Sequence, residues 1–169
     1  MILKENNAKK SNIPYKWIFG ALAIIGIAYF LIPTDQYTDL PQDSIVCDAE
    51  TTIGNQFVTN GHKFSNSATQ SNEQSFSGKY SCKLDSEHKY GMSHVIMTPI
   101  PGTRYHVQVK RKANNGQHSA LAITADPIGA GYKQTSTSIQ LDGNGWETLE
   151  LDFTLDDTTK VNKVSIFTF

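Results

Sequence analysis

Beyond residue 43 the chain alternates apolar and polar positions with a period of two. Tyr80-Ser-Cys-Lys-Leu84, Tyr105-His-Val-Gln-Val-Lys110, Leu121-Ala-Ile-Thr124 and Leu149-Glu-Leu-Asp-Phe153 all carry it. Period two puts every second side chain on one face of an extended strand, so these runs predict strands with one buried face. Val161 to Phe169 is also strand-rich, with less regular alternation. Turn-forming clusters separate the runs: Ser77-Gly78, Pro101-Gly102, Asn114-Asn-Gly116, Pro127-Ile-Gly129 and Asp142-Gly-Asn-Gly145. Short strands punctuated in this way predict an all-β sandwich or barrel. No apolar stripe of helical spacing follows Ile32, and the Ser-, Asn- and Gln-rich stretch Asn60 to Gln74 reads as one long loop. The predicted inward set is Ile45, Cys47, Ala49, Phe57, Phe64, Tyr80, Cys82, Leu84, Val95, Met97, Tyr105, Val107, Val109, Leu121, Ile123, Ile139, Leu149, Leu151, Phe153, Val164 and Ile166. Trp146 is out of phase with Leu149, Leu151 and Phe153, so it packs at the strand's start, sits beyond a bulge or faces the other side.

The N-terminal part follows a different rule. Trp17 to Ile32 runs without a charged residue, at the short end of what a bilayer core of about 30 Å requires. Lys4, Lys9, Lys10 and Lys16 precede it against Glu5, whereas Asp35, Asp39, Asp43 and Asp48 follow it. The excess of lysine puts the N-terminus in the cytoplasm and the remainder outside. The segment is an uncleaved anchor or a cleaved signal peptide, and both export the C-terminal part. The expected organisation is a cytoplasmic segment 1–16, a membrane segment 17–32, a linker 33–43 and a sandwich domain 44–169. The first thirty-three residues are thus expected to lie outside the fold.

Composition narrows the function. The chain of 169 residues is 38% hydrophobic with a formal net charge of −1, which excludes nucleic-acid binding by bulk positive charge. Two cysteines exclude a disulfide-dense scaffold and a four-cysteine zinc site. The five histidines share no metalloprotease spacing, and no Gly-x-Ser-x-Gly elbow occurs. Glu150 and Asp152 lie between inward leucines, which marks a solvated face rather than a catalytic pair. The expectation is a non-enzymatic protein.

Several motifs share an order with a known group. Cys47-Asp-Ala-Glu50, Ser77-Gly-Lys-Tyr-Ser-Cys-Lys-Leu84, Pro101-Gly102 before Tyr105-His-Val-Gln-Val, and Gly145-Trp146 before Leu149, Leu151 and Phe153 occur in sequence, followed by Val161 to Phe169. In that order they resemble the jelly-roll carbohydrate-binding modules and their galactose-binding-like relatives, over Ser44 to Phe169. The resemblance implies a jelly-roll β-sandwich and non-catalytic recognition of a glycan or cell-surface polymer. Two positions depart from it. Ala49 stands where the relatives carry Phe, and Phe169 stands where they continue into an acidic closing strand, so the domain is expected to be truncated or its edge covered by another element. The alternative is a structural or assembly module that binds a protein partner through an open sheet edge, the last strand being the expected edge.

Site expectations follow. The resemblance implies a structural calcium ion held by the Glu50 carboxylate and by backbone oxygens at Ser77 and Gly78, with Asp48 joining if it faces the same way. A saccharide face is expected at Gln108 and Lys110, which strand parity turns away from the core, together with Tyr132 and Gln134 on the next segment. Trp146 is either a stacking platform or a packing residue. Cys47 and Cys82 share inward parity on strands that lie close together in such a fold, and are either a disulfide or two buried thiols.

Overall fold

The computed structural model describes residues 1–5, 44–112, 119–127, 130–156 and 158–169. Its strands form two large antiparallel sheets. A five-stranded sheet runs in the order β12 (Ser138–Leu141), β13 (Glu147–Thr154), β9 (Arg104–Arg111), β1 (Ile2–Glu5) and β2 (Ser44–Val46). A seven-stranded sheet runs in the order β11 (Tyr132–Thr135), β10 (Leu121–Asp126), β14 (Lys163–Thr168), β8 (Ser93–Met97), β5 (His62–Ser65), β4 (Gln56–Thr59) and β3 (Thr52–Ile53). A small pair, β6 (Gln70–Ser71) with β7 (Ser81–Cys82), stands apart. Ser67–Thr69 forms a single 3-10 turn. No helix among the described residues is long and apolar enough to cross a membrane, and the apolar segment 17–32 lies outside the described residues.

Both sheets feed one core. Leu3, Val107, Leu149 and Leu151 enter from the five-stranded sheet, and Phe57, Phe64, Leu121, Ile123, Val164 and Ile166 from the seven-stranded sheet. The predicted alternation is clearest in β9, where Tyr105, Val107 and Val109 are buried and His106, Gln108 and Lys110 are half-buried on the other side. Each fully buried aliphatic or aromatic side chain contributes about 1.5–3 kcal/mol of transfer free energy, which offsets the ordering of the chain. An all-β sandwich is therefore the architecture that the period-two pattern encodes.

Several expectations are corrected. Asn60 to Gln74 is not one loop: Asn60 (φ 50°) and Gly61 (φ 81°) form the tight turn of a hairpin that pairs Thr59 with His62 and Phe57 with Phe64. Asn-Gly tolerates two successive positive φ angles, which the twist of a two-residue hairpin requires. In β8 the phase is reversed. His94 and Ile96 lie opposite the core residues Ile166 and Val164, while Val95 and Met97 point outward, Met97 with 65% exposure. Ile139 is 61% exposed because the register between β12 and β13 slips at that position, as a bulge does. The last strand is not an edge: β14 is paired on both sides, by β10 and β8. The sheet edges are β12 and β2 in one sheet and β11 and β3 in the other.

The largest correction concerns the N-terminus. Ile2–Glu5 is a strand of the sandwich, antiparallel to β2 and to β9, with Leu3 opposite both Ile45 and Val107. Leu3 is fully buried, and the α-amino group of Met1 donates to the Cys47 carbonyl at 3.2 Å. A strand in this position and an N-terminus across a membrane spanned once by 17–32 exclude each other within one molecule. Leu3→Ala in the full chain should lower unfolding free energy by about 2–5 kcal/mol, the usual cost of emptying a buried leucine site. Urea denaturation reads this directly, and an unchanged midpoint would mean that β1 is not seated.

Candidate functional site

The central feature is the pairing of β9 with β13, in register over the whole length of both strands, from Arg104↔Thr154 to Arg111↔Glu147. On the outward face, opposed residues join in pairs. Lys110 Nζ donates to Thr148 Oγ1 at 2.7 Å, and Gln108 Nε2 to Glu150 Oε2 at 3.0 Å. His106 Nδ1 meets Asp152 Oδ1 at 3.0 Å, and Arg104 Nη2 lies 3.2 Å from Asp152 Oδ2. The hydrogen bond with His106, and then the Arg104 guanidinium, hold the Asp152 carboxyl below its usual range.

At one end this ladder opens into a cleft of about 550 Å³. Its aromatic lining is Phe76, Tyr80, Trp146 and Phe169, of which Phe76 and Trp146 form an edge-to-face pair with ring centroids 5.6 Å apart. Lys110 Nζ lies 5.2 Å from the Phe76 centroid and Lys112 Nζ 5.9 Å from that of Trp146. The lining carries five cationic side chains (Lys83, Lys89, Lys110, Arg111 and Lys112) against the carboxylates of Asp48, Glu73 and Asp85. Trp146 is placed by the Asp142-Gly-Asn-Gly turn, in which Asp142 Oδ1 accepts the backbone N–H groups of Asn144 at 2.9 Å and Trp146 at 2.8 Å. Arg111 sits at the base, buried, on inward parity. Its guanidinium pairs with Glu147 and donates to the carbonyls of Ser119 and Ser136, tying both sheets together beneath the cleft. The size and the mixture of rings with a few cations suit a small-molecule or oligomer site.

The four residues of the expected saccharide face are divided two and two. Gln108 and Lys110 are on the outward face of the five-stranded sheet. Tyr132 and Gln134 are on β11, opposite Thr124 and Ala122 of the seven-stranded sheet, and bond to each other. Tyr132 is exposed as expected, at 59%, but on the opposite side of the sandwich from Gln108. Lys110 alone of the four lines the cleft. Phe76 and Lys112, which the sequence analysis did not single out, join Trp146 there. The available signal was a cation-rich strand end, Lys110-Arg-Lys112, in a module with a Trp at the start of the paired strand.

The expected calcium ligands are arranged for another purpose. Glu50 Oε1 accepts the backbone N–H groups of Lys79 at 2.8 Å and Tyr80 at 2.9 Å. A Cβ on Gly78 would stand 2.3 Å from the same oxygen. The Gly78 carbonyl accepts the Ser75 hydroxyl at 3.2 Å. Asp48 does not join Glu50, because Ala49 takes a left-handed φ of 63° and breaks the period-two relation between them. Asp48 Oδ1 instead accepts the Glu50 N–H and the Thr59 hydroxyl. Calcium needs about 6–8 converging oxygens. Two N–H donors aimed at one carboxylate satisfy its charge without a cation, so these residues do not fit the ion. Cys47 and Cys82 are both free thiols on the wall of the cleft, and burial pushes both thiols up, away from a reactive thiolate.

No family model, curated protein or solved structure matches the chain. The sandwich architecture is general to many functions, so the resemblance to carbohydrate-binding modules rests on the motif order of the sequence alone.

Three outcomes follow from this geometry. Gly78→Ala should lower stability by about 1–3 kcal/mol, through its positive φ and its collision with Glu50. Adding Ca²⁺ to chelator-treated, desalted protein should leave the melting temperature where it was, and a rise that Glu50→Gln abolishes would reveal a calcium site at Glu50. For Asp152, a depressed folded-state pKa contributes stability above the unfolded carboxylate range, near pH 4, that is lost as pH falls through the folded value. Because its side chain is 41% exposed, Asp152→Asn should cost below about 1 kcal/mol at pH 7 and nothing near pH 2, measured by urea titration at both.

Proposed function

We propose that this chain is a non-catalytic, exported glycan-binding module, a jelly roll of the galactose-binding-like kind, that takes an acidic saccharide in the cleft between Phe76 and Trp146. The observation that carries this reading is the pair of lysines resting over that aromatic pair. Aromatic rings hold the C–H faces of sugars, and ammonium groups hold carboxylates. A cation–π contact at an exposed site is worth about 0.5–1 kcal/mol, so a sugar acid readily draws Lys110 and Lys112 off the rings and takes their place. With Lys83 paired to Glu73 and Arg111 to Glu147, Lys89, Lys110 and Lys112 face Asp48 and Asp85 in the lining, and this smaller excess of cations supports a uronic-acid polymer over a neutral one.

Anchorage by residues 17–32 belongs to the same proposal, with the domain outside the cytoplasm. It carries a condition: Ile2–Glu5 leaves the sheet whenever 17–32 crosses a bilayer once.

A second reading, a module that binds a protein partner, is favoured by strand β12. It is an edge strand that exposes Ile139 and Leu141, the latter at 66%. Strand addition to such an edge is an established recognition mode.

Affinity electrophoresis in gels containing polygalacturonate or neutral dextran tests the first reading. Retardation by polygalacturonate alone is expected, weakening with added salt. Trp146→Ala should reduce it about tenfold, a loss near 1.4 kcal/mol for one ring contact. Ile139→Lys should leave it intact. Equal mobility in both gels overturns the glycan reading and leaves the β12 edge as the better one.

A further inference from the structure

A second constellation lies on the outward face of the β9–β13 ladder, away from the aromatic pair. Asp152 is directly opposite His106, and Glu150, two residues away on β13, shares the face by strand parity. His106 Nδ1 stands 3.0 Å from Asp152 Oδ1 and 3.8 Å from Glu150 Oε1, and the three groups offer ligand atoms that all lie within 4.8 Å of one another. We propose that His106, Glu150 and Asp152 form a binding site for a divalent first-row transition metal, with Zn²⁺ the ion it suits best.

The geometry supports more than a surface ion pair. Each carboxylate turns one oxygen toward His106 and has its other oxygen held from outside. Arg104 Nη2 lies on Asp152 Oδ2 at 3.2 Å, and Gln108 Nε2 on Glu150 Oε2 at 3.0 Å. This division of labour, one oxygen for the ion and one for an outer donor, orients the carboxylates of metal sites. The ligand separations also suit the ion. In a tetrahedral zinc shell with bonds of about 2.0–2.2 Å, neighbouring ligand atoms sit about 3.3 Å apart, so small side-chain rotations close this triad. A mixed imidazole and carboxylate set selects Zn²⁺ and its neighbours over Ca²⁺ or Mg²⁺, which prefer oxygen alone. The triad is rigidly seated, since both strands carry core residues between the ligands: Tyr105 and Val107 on β9, Leu151 and Phe153 on β13. His106 is only 25% exposed, yet the site faces solvent, so three protein ligands leave a position open for water or an incoming donor. Arg104, on Asp152 Oδ2, and Lys133, whose Nζ donates to the Asp152 carbonyl at 2.8 Å, are nearby cations that lower affinity for an ion, which places the expected strength below that of a closed structural site.

The test is calorimetric titration of Zn²⁺ into the full chain without an affinity tag, with the melting temperature followed in parallel. One ion per chain is expected, with a rise in melting temperature on loading. His106→Gln and Asp152→Asn should each weaken binding at least tenfold and abolish that rise. Gln108→Leu, which keeps all three ligands, should weaken binding by a smaller factor. His62→Ala should leave it unchanged, since His62 stands near His94, not near the triad. Should His106→Gln fail to fold, Glu150→Gln and Asp152→Asn carry the same expectation. Absence of binding, or binding that survives His106→Gln and Asp152→Asn or is lost in His62→Ala, overturns the proposal.

Discussion

The β9–β13 pairing is the constraint on which the rest of the protein depends. Its register is unbroken from Arg104↔Thr154 to Arg111↔Glu147. Because side chains alternate, that single register fixes two surfaces at once. Inward, Tyr105, Val107 and Val109 meet Phe153, Leu151 and Leu149 to form half of the core. Outward, the same pairing aligns Lys110 with Thr148, Gln108 with Glu150 and His106 with Asp152. A one-residue slip would expose the core set and bury the polar ladder, so the cost of losing the core protects the geometry of the outer face. The outward face needs little stability of its own, because its positions follow from leucines and valines behind it.

How much of this was legible depends on the length of each strand. β9, β10 and β13 run for six or eight residues, and their alternation gave both phase and facing. The hairpin β4–β5 has too few residues for a period to show, and of the alternating run Tyr80–Leu84 only Ser81–Cys82 is paired, as β7. For β4–β5 the informative signal was turn chemistry, the Asn60-Gly61 pair, which the Ser- and Asn-rich surroundings obscured. β8 misled for a different reason: Val95 and Met97 are apolar but outward, while His94 takes an inward place against Phe64, with ring centroids 4.9 Å apart. Burial there lowers the His94 pKa, favouring the neutral ring. Parity identifies two sets of positions but does not say which set faces in when both contain apolar residues.

The site was legible in parts for the same reason. Parity correctly turned Gln108 and Lys110 away from the core, because it acts within one strand. It could not join them to Tyr132 and Gln134, because outward faces of two opposed sheets look in opposite directions. Glu50 illustrates a further limit. Its proximity to Ser77-Gly78 follows from the motif order, but whether the loop offers carbonyls or N–H groups depends on backbone angles. Gly78, with its positive φ, turns the loop so that the N–H groups of Lys79 and Tyr80 face Glu50.

The strand β1 joins these threads. It lies against β9, with Lys4 in register with His106 and Ile2 with Gln108. Met1 and Ile2 also line the cleft beside Cys47 and Ala49. The slot between β9 and β2 therefore borders both the aromatic cleft and the outward polar ladder. Whatever strand fills that slot shapes one wall of the cleft and supplies the backbone neighbour of His106. Its occupancy and the binding properties of the face are linked by thermodynamic necessity: a ligand with different affinity for the filled and empty forms shifts the slot, and filling the slot shifts that affinity by the same factor. The apolar segment 17–32 lies between Ile2–Glu5 and Ser44 in the chain, so a filled slot and a single crossing of a bilayer by that segment exclude each other within one molecule.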